Sequence, residues 1–269
     1  MPELRPTPRQ LPDVLLSEGV TWATTDEIAR RLEVPPERVK ESLKRSRAAG
    51  RIVSITNGAW LMVQPEYYLR WGAPPPTHYV DAWMRHLGHP YYVGLLAAAA
   101  HHGLAHHAAQ VFHVVTPARL KDRKIGRARV AFVHAVDTAT RPTDVIVTPT
   151  GRLVAASLEV TLLDLVVHPH RCGGLDNVTT IVANAVQEHR IDAQGIFDAA
   201  VTYRPSAIQR LGYLAELAAR SLGIDVALGP MAHHVQGRRV VPLAPRAPVG
   251  GATDPRWRVQ ANVDVEVET

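Results

Sequence analysis

Apolar positions recur at helical spacing through the first fifty residues. Leu11, Val14 and Leu15 form a short face ahead of the Glu18-Gly19 break and predict a first helix. Thr24 or Thr25 can cap a second helix in TTDEIARRLEV, with Asp26 and Glu27 in the first turn, where the helix dipole favours negative charge. Its inward face is Ile28, Ala29 and Leu32. Val34-Pro35-Pro36 ends that helix, because a residue before proline avoids helical geometry, and Pro36 suits the start of a third. The third helix is expected from Pro36 to Ala49, with Val39 and Leu43 inward and Gly50 closing it. RIVSITNGAWLMV then gives two β-prone runs joined by Asn57-Gly58, the strongest short-range signal for a tight hairpin.

Helix, helix, short turn, helix, hairpin is the order of a winged helix-turn-helix, expected here over residues 1–70. Pro74-Pro75-Pro76 predicts a semi-rigid proline-rich connector over 71–78. Residues 79–269 read as a larger mixed α/β domain, which makes the whole chain α+β. Two helical stretches are expected there in YVDAWMRHLG and PYYVGLLAAAAHHG. Strands follow at Val111 to Val115, Arg129 to His134, Asp144 to Thr148 and Arg152 to Ala155, and helices at Ser157 to His168, Leu175 to His189, Asp192 to Val201 and Ser206 to Ser221. The tail alternates Trp257, Val259, Ala261, Val263 and Val265 with polar residues, as a half-buried strand should.

Charge adds what the apolar pattern does not show. The formal net charge is +5, and Arg38 to Arg51 alone carries six bases (Arg38, Lys40, Lys44, Arg45, Arg47, Arg51) against Glu41. Arg119 to Arg129 carries six more (Arg119, Lys121, Arg123, Lys124, Arg127, Arg129) against Asp122, so the rest of the chain is net acidic. Two short basic segments give a directional field that suits an anionic polymer. A helix fits the major groove of duplex DNA, and Ser42, Lys44, Arg45, Ser46 and Arg47 offer donors to phosphate oxygens and to guanine O6 and N7. With Arg38, Lys40, Arg51 and the wing residues Asn57 and Gly58, these are the expected DNA contacts. The second cluster fits further phosphate contact or a surface for a partner. A winged helix used for protein contacts, in an interaction scaffold, is the alternative.

Candidate catalytic groups are few. HHGLAHH places His102 and His106 at the i, i+4 spacing of two metal ligands, but no carboxylate stands in the run to complete a site. Cys172 is the only cysteine, which rules out an internal disulfide and a cysteine-rich zinc site, fits a reducing cytoplasm, and stands beside Gly173-Gly174 with no evident base. Asp122-Arg123-Lys124 has the D-x-K form of some nucleases but falls in an expected loop. A DNA-targeted nuclease or metal hydrolase using these groups is the enzymatic alternative. The expectation is no catalytic residue, no metal and no cofactor. No run reaches the roughly 18 apolar residues of a membrane span, and no secretory signal opens the chain, so a cytoplasmic protein is expected.

The N-terminal reader followed by PYYVGLLAAAAHHGLAHHAAQVFHVVTPARLKDRKIGR, PTGRLVAASLEVTLLDLV, CGGLDNVTTIVAN and AIQRLGYLAELA resembles the AbiEi family of antitoxins, its actinobacterial members included, over roughly Leu15 to Ala219. The resemblance implies a non-enzymatic antitoxin of a type IV, abortive-infection-type system. The winged helix would bind inverted repeats upstream of its own operon and repress it; two readers one helical turn apart on such double-stranded DNA predict a homodimer. The second domain would counteract a nucleotidyltransferase-like toxin. Lys40, Lys44, Arg45, Arg47, Asn57 and Gly58 take the DNA role by position. His101 to Leu104 and Leu162 to Val166 correspond to family segments read as packing elements, with Leu163 standing where alanine is common.

Overall fold

The computed structural model describes residues 5–68, 70–105 and 110–267. In chain order its first elements are α1 (Leu11–Ser17), β1 (Trp22–Thr24), α2 (Thr25–Leu32), α3 (Pro36–Ser42), α4 (Lys44–Ala48), β2 (Ile52–Thr56), β3 (Ala59–Met62), α5 (Pro65–Tyr68), α6 (Val80–Leu87), β4 (Tyr92–Val93) and α7 (Leu95–His101). Then come β5 (Val111–Thr116), β6 (Arg123–Ile125), β7 (Ala128–His134), β8 (Thr143–Thr148), β9 (Gly151–Ala156), α8 (Leu158–Val167), α9 (Leu175–Gln187), α10 (Ala193–Ala199), α11 (Pro205–Leu222), α12 (Gly229–Val235), β10 (Val241–Pro242), β11 (Thr253–Asp254) and β12 (Val259–Gln260). The fold is mixed α+β. The described residues form two compact units that alternate along the chain.

The first unit takes those of Met1–Tyr91, Gln110–Val136 and Val145–Val154. Thr24 is the cap of α2: its hydroxyl accepts from the Glu27 amide while the Glu27 carboxylate accepts from the Thr24 amide, a reciprocal capping box. The β2–β3 hairpin turns at Asn57-Gly58 and gains β1 as a third strand, in the order β1-β3-β2. That edge strand was not expected; it forms because Trp22 to Thr24 pairs with Leu61 to Ala59 just before α2 begins. Leu11, Leu15, Ile28, Leu32, Val39, Leu43, Ile52, Trp60 and Met62 make one core. The expected third helix is in fact two, because the backbone tightens at Leu43 to ψ 1°.

Residues of the expected connector pack inside this unit. Ala73 is buried, and Pro76–His78 form a 3-10 turn leading into α6. Further along, β7 pairs antiparallel with β6 and parallel with β5. The turn between β6 and β7 needs glycine: a Cβ at Gly126 would lie 2.3 Å from the Trp71 carbonyl oxygen. Arg123–Ile125, expected as loop, is a strand because Ile125 has a buried place opposite Ala128.

The second unit takes the described residues of Tyr92–Ala109, Asp137–Asp144 and Ala155–Thr269. Tyr92 and Val93, expected in a helix, form a strand parallel to the end of β9, and extended Gly94 separates them from α7. Ser157 caps α8, whose residues Val160 to Val166 are all buried. A helix with no polar face is the centre of its unit. α11 starts at Pro205 and stops at left-handed Gly223, and its Gly212 admits Trp257, whose ring would come within 2.0 Å of a Cβ there. The helix α12 was not expected. The alternating tail yields only Val259–Gln260 as a strand. Beyond it Asn262 bonds the Ala244 amide and the Ala244 and Pro248 carbonyls, occupying backbone groups that a longer ladder would have needed.

Candidate nucleic-acid interface

Val39, Leu43 and Ser46 point inward from α3 and α4 at i, i+4 and i+7. Arg38 and Lys40 on α3 and Lys44, Arg45 and Arg47 on α4 are all exposed, and this run of five cations makes the α3–α4 ridge. Lys44 Nζ lies 3.3 Å from Glu41, and both groups stand in water. The Arg47 guanidinium sits 5.8 Å from the ring centroid of Trp60 on β3, linking ridge and hairpin. Trp60 is itself buried and donates to the Thr25 hydroxyl at 2.9 Å.

Three expected contacts are placed differently. Ser46 is buried, and its hydroxyl donates to the Pro8 carbonyl at 3.0 Å, which corrects its expected role as a donor to DNA. The i+7 spacing from Val39 carries that information. Ser42 is half-buried. Arg51 pairs with Asp13 and donates to the Arg9 carbonyl at 3.0 Å, so it ties down the N-terminal segment and stands apart from the ridge. Asn57 and Gly58 are exposed at the hairpin tip, where the Gly58 carbonyl accepts from the Thr25 amide at 2.8 Å. The pattern missed Arg9. The segment folds back so that Thr7, Arg9, Glu41, Lys44 and Arg45 line one cleft of about 360 Å³.

The second basic cluster rides on the β6–β7 ribbon of the same unit. Arg119, Lys121, Arg123, Lys124, Arg127 and Arg129 all keep access to water. Asp122 meets Arg129 at 2.9 Å and accepts from the Phe132 amide at 3.2 Å, so in the D-x-K segment it serves as a structural ligand of the ribbon.

Among the described residues, the other chemical candidates have these surroundings. His102 closes α7, with Nε2 2.9 Å from the Ala156 carbonyl and its own carbonyl accepting from Arg190. Burial lowers the His101 pKa. His106 and His107 lie outside the described residues. Among the described residues, no three or more His, Cys, Asp or Glu side chains gather as a metal site. Burial pushes the Cys172 thiol up to about 12, the reverse of an activated nucleophile.

The second unit holds a polar cluster that the residue pattern did not announce. Asp164, in the middle of α8, accepts from Arg141 at 3.1 Å, Tyr92 at 2.8 Å and Tyr203 at 2.7 Å. Arg141 also donates to Tyr92 and Thr202 and lies 4.0 Å from the Tyr203 ring centroid. The side chains of Arg141 and Asp164 are only 9% and 2% exposed. Burial pushes the Asp164 carboxyl up, against the pull of Arg141 and the two hydroxyls, and it also raises Tyr92 and Tyr203. With both carboxylate oxygens engaged and little solvent access, the cluster is a bolt between segments of its unit. Asp164 inside the apolar stretch LLDLVV, beyond the first-turn Glu159, was its sequence signal.

Residues 92–217 match the family model of the AbiEi antitoxin C-terminal domain. This stretch is an AbiEi antitoxin C-terminal domain. The AbiEi domain contains the whole Arg141, Asp164, Tyr92 and Tyr203 cluster and also the β6–β7 ribbon, and it supports an antitoxin role in a toxin–antitoxin pair. The fold is shared with the RV2827C protein from Mycobacterium tuberculosis, at 15% identity and a TM-score of 0.67, over 94% of this chain and 91% of that one. No curated protein matches the sequence. Among the described residues no helix is long and apolar enough to cross a membrane.

Proposed function

We propose that this AbiEi-domain antitoxin is a DNA-binding autorepressor whose α3–α4 ridge enters the major groove. The ridge carries the reading: five cations of α3 and α4 are exposed, while Val39, Leu43 and Ser46 are buried. The β2–β3 hairpin stands as the wing, with Arg47 over Trp60 joining the two parts. Two copies on inverted repeats, about 34 Å apart, match operator symmetry to protein symmetry. The toxin partner is a nucleotidyltransferase-like protein, a reading that rests on the family resemblance and on the AbiEi domain.

Neutralising Lys44, Arg45 and Arg47 together tests the ridge. Operator affinity should fall, and the slope of log affinity against log salt should flatten by about 0.9 for each phosphate that the variant no longer neutralises. An unchanged slope in a binding titration rejects the assignment. Protection of a single unrepeated half-site in footprinting rejects the dimer.

A further inference from the structure

The β6–β7 ribbon carries a charge arrangement that its own folding does not need. In register, Lys124 stands directly opposite Arg129, a like-charge pair that weakens an antiparallel ribbon. The ribbon forms through Ile125 and Val130, which are buried, while its cations stay in water. Asp122 is the only acid between Arg119 and Arg129. Such a surface is built for an anion, and what stands at its tip narrows the choice.

Trp71 is clamped there by its backbone. Its carbonyl accepts from the Arg127 amide at 2.9 Å, and Gly126 supplies the space for that approach. The indole is 55% exposed, whereas Trp60, Trp83 and Trp257 are buried. The Arg127 guanidinium lies 5.8 Å from its ring centroid. An indole left in water forgoes the hydrophobic gain of burial, yet this one sits on a clamped backbone beside the Arg127 guanidinium.

We infer that Trp71 and the β6–β7 ribbon bind single-stranded nucleic acid, with an unpaired base on the indole and Lys124, Arg127 and Arg129 on the phosphates. Duplex DNA presents phosphates but keeps its base faces stacked. An acidic peptide presents charge without aromatic faces. Only an unpaired strand uses both features at once, and stacking on an aromatic platform tolerates any base. The patch differs in this from the α3–α4 ridge, whose neighbouring tryptophan, Trp60, is buried.

Fluorescence anisotropy of the full chain with a labelled 12-nucleotide dT strand, a 12-base-pair duplex and a glutamate oligomer of matching charge tests the inference. Trp71→Ala should weaken dT binding about five- to a hundredfold while leaving duplex binding unchanged, and Trp71→Phe should retain most of the dT affinity. Lys124→Ala with Arg127→Ala should flatten the salt dependence of dT binding. The Lys44, Arg45 and Arg47 variant should keep dT binding while losing operator binding, so the ridge and the ribbon succeed or fail separately. Unchanged dT affinity in Trp71→Ala overturns the inference. So does an equal loss of duplex affinity, which would assign the ribbon to duplex DNA, or glutamate-oligomer binding as tight as dT binding, which would leave charge alone.

Discussion

On the α3–α4 ridge, Arg38, Lys40, Lys44, Arg45 and Arg47 stand in water, with Glu41 beside Lys44 and the Trp60 ring beside Arg47. In the second unit, Arg141 and Asp164 are sealed from water and share bonds with Tyr92, Thr202 and Tyr203. The same functional groups therefore carry different costs. An exposed cation is already well solvated and contributes little to folding, which leaves it available to a ligand. A buried ion has surrendered its hydration and depends on its partner for compensation. Location decides the role of each arginine, and residue type does not.

The largest test of this contrast is truncation of the buried pair. Asp164→Ala leaves the Arg141 guanidinium buried without its carboxylate and should destabilise the protein by about 3–5 kcal/mol, read as a lower midpoint in urea unfolding. Removing Lys44, Arg45 and Arg47 together should change stability in the same titration by no more than about 0.5 kcal/mol per residue. Replacing both partners, Arg141→Met with Asp164→Leu, should cost less than Asp164→Ala, because no lone charge is left inside. If Asp164→Ala unfolds at the wild-type midpoint, the cluster does not hold its unit together.

Tyr203→Phe gives a smaller step. It deletes one donor to Asp164 and leaves the ring beside Arg141, so the expected loss is about 1–3 kcal/mol. The equivalent change on the ridge side, Ser46→Ala, removes only the bond to the Pro8 carbonyl and should cost about 0.5–1.5 kcal/mol. Comparable losses for the two variants would mean that the Asp164 network adds nothing beyond single hydrogen bonds.

The two regions were also unequally legible. Local signals placed the N-terminal elements: the Thr24 cap, Pro36 at a helix start and Asn57-Gly58 at the hairpin tip are all where residue chemistry puts them. They depend on neighbours a few positions away. Ser46 departs from its expected role as a DNA donor because polarity alone suggested it, although spacing from Val39 turns the side chain inward. Arg9 and Trp71 gain their places from contacts distant in sequence, with Lys44 and Arg45 across a cleft and with Arg127 at a strand turn. Asp164 finds its partners up to 72 residues away, and no periodicity carries that information. The Tyr92 strand was masked by the helix-like run that follows Gly94.

Glu27 provides the finest test, because it is an exposed carboxylate with fixed partners. It accepts from the Thr24 amide at 2.6 Å and the Thr24 hydroxyl at 2.9 Å. The amide bond chiefly, with the hydroxyl and the charge of Arg30 helping, lowers its pKa below the usual 4.5. A carboxyl whose value is lower folded than unfolded stabilises the fold above the unfolded value, and that contribution is lost as pH falls through the folded one. Glu27→Gln should therefore cost less than about 1 kcal/mol near neutrality, and its gap from wild type should close as the pH falls below the usual 4.5 and through the lowered folded value in urea titrations. A gap that stays constant over that range would show that the carboxylate charge is not what secures the start of α2. Burial moves Asp164 the other way, so acid does not withdraw stability from the second unit through that carboxyl. The two carboxylates thus respond to acid with opposite sign.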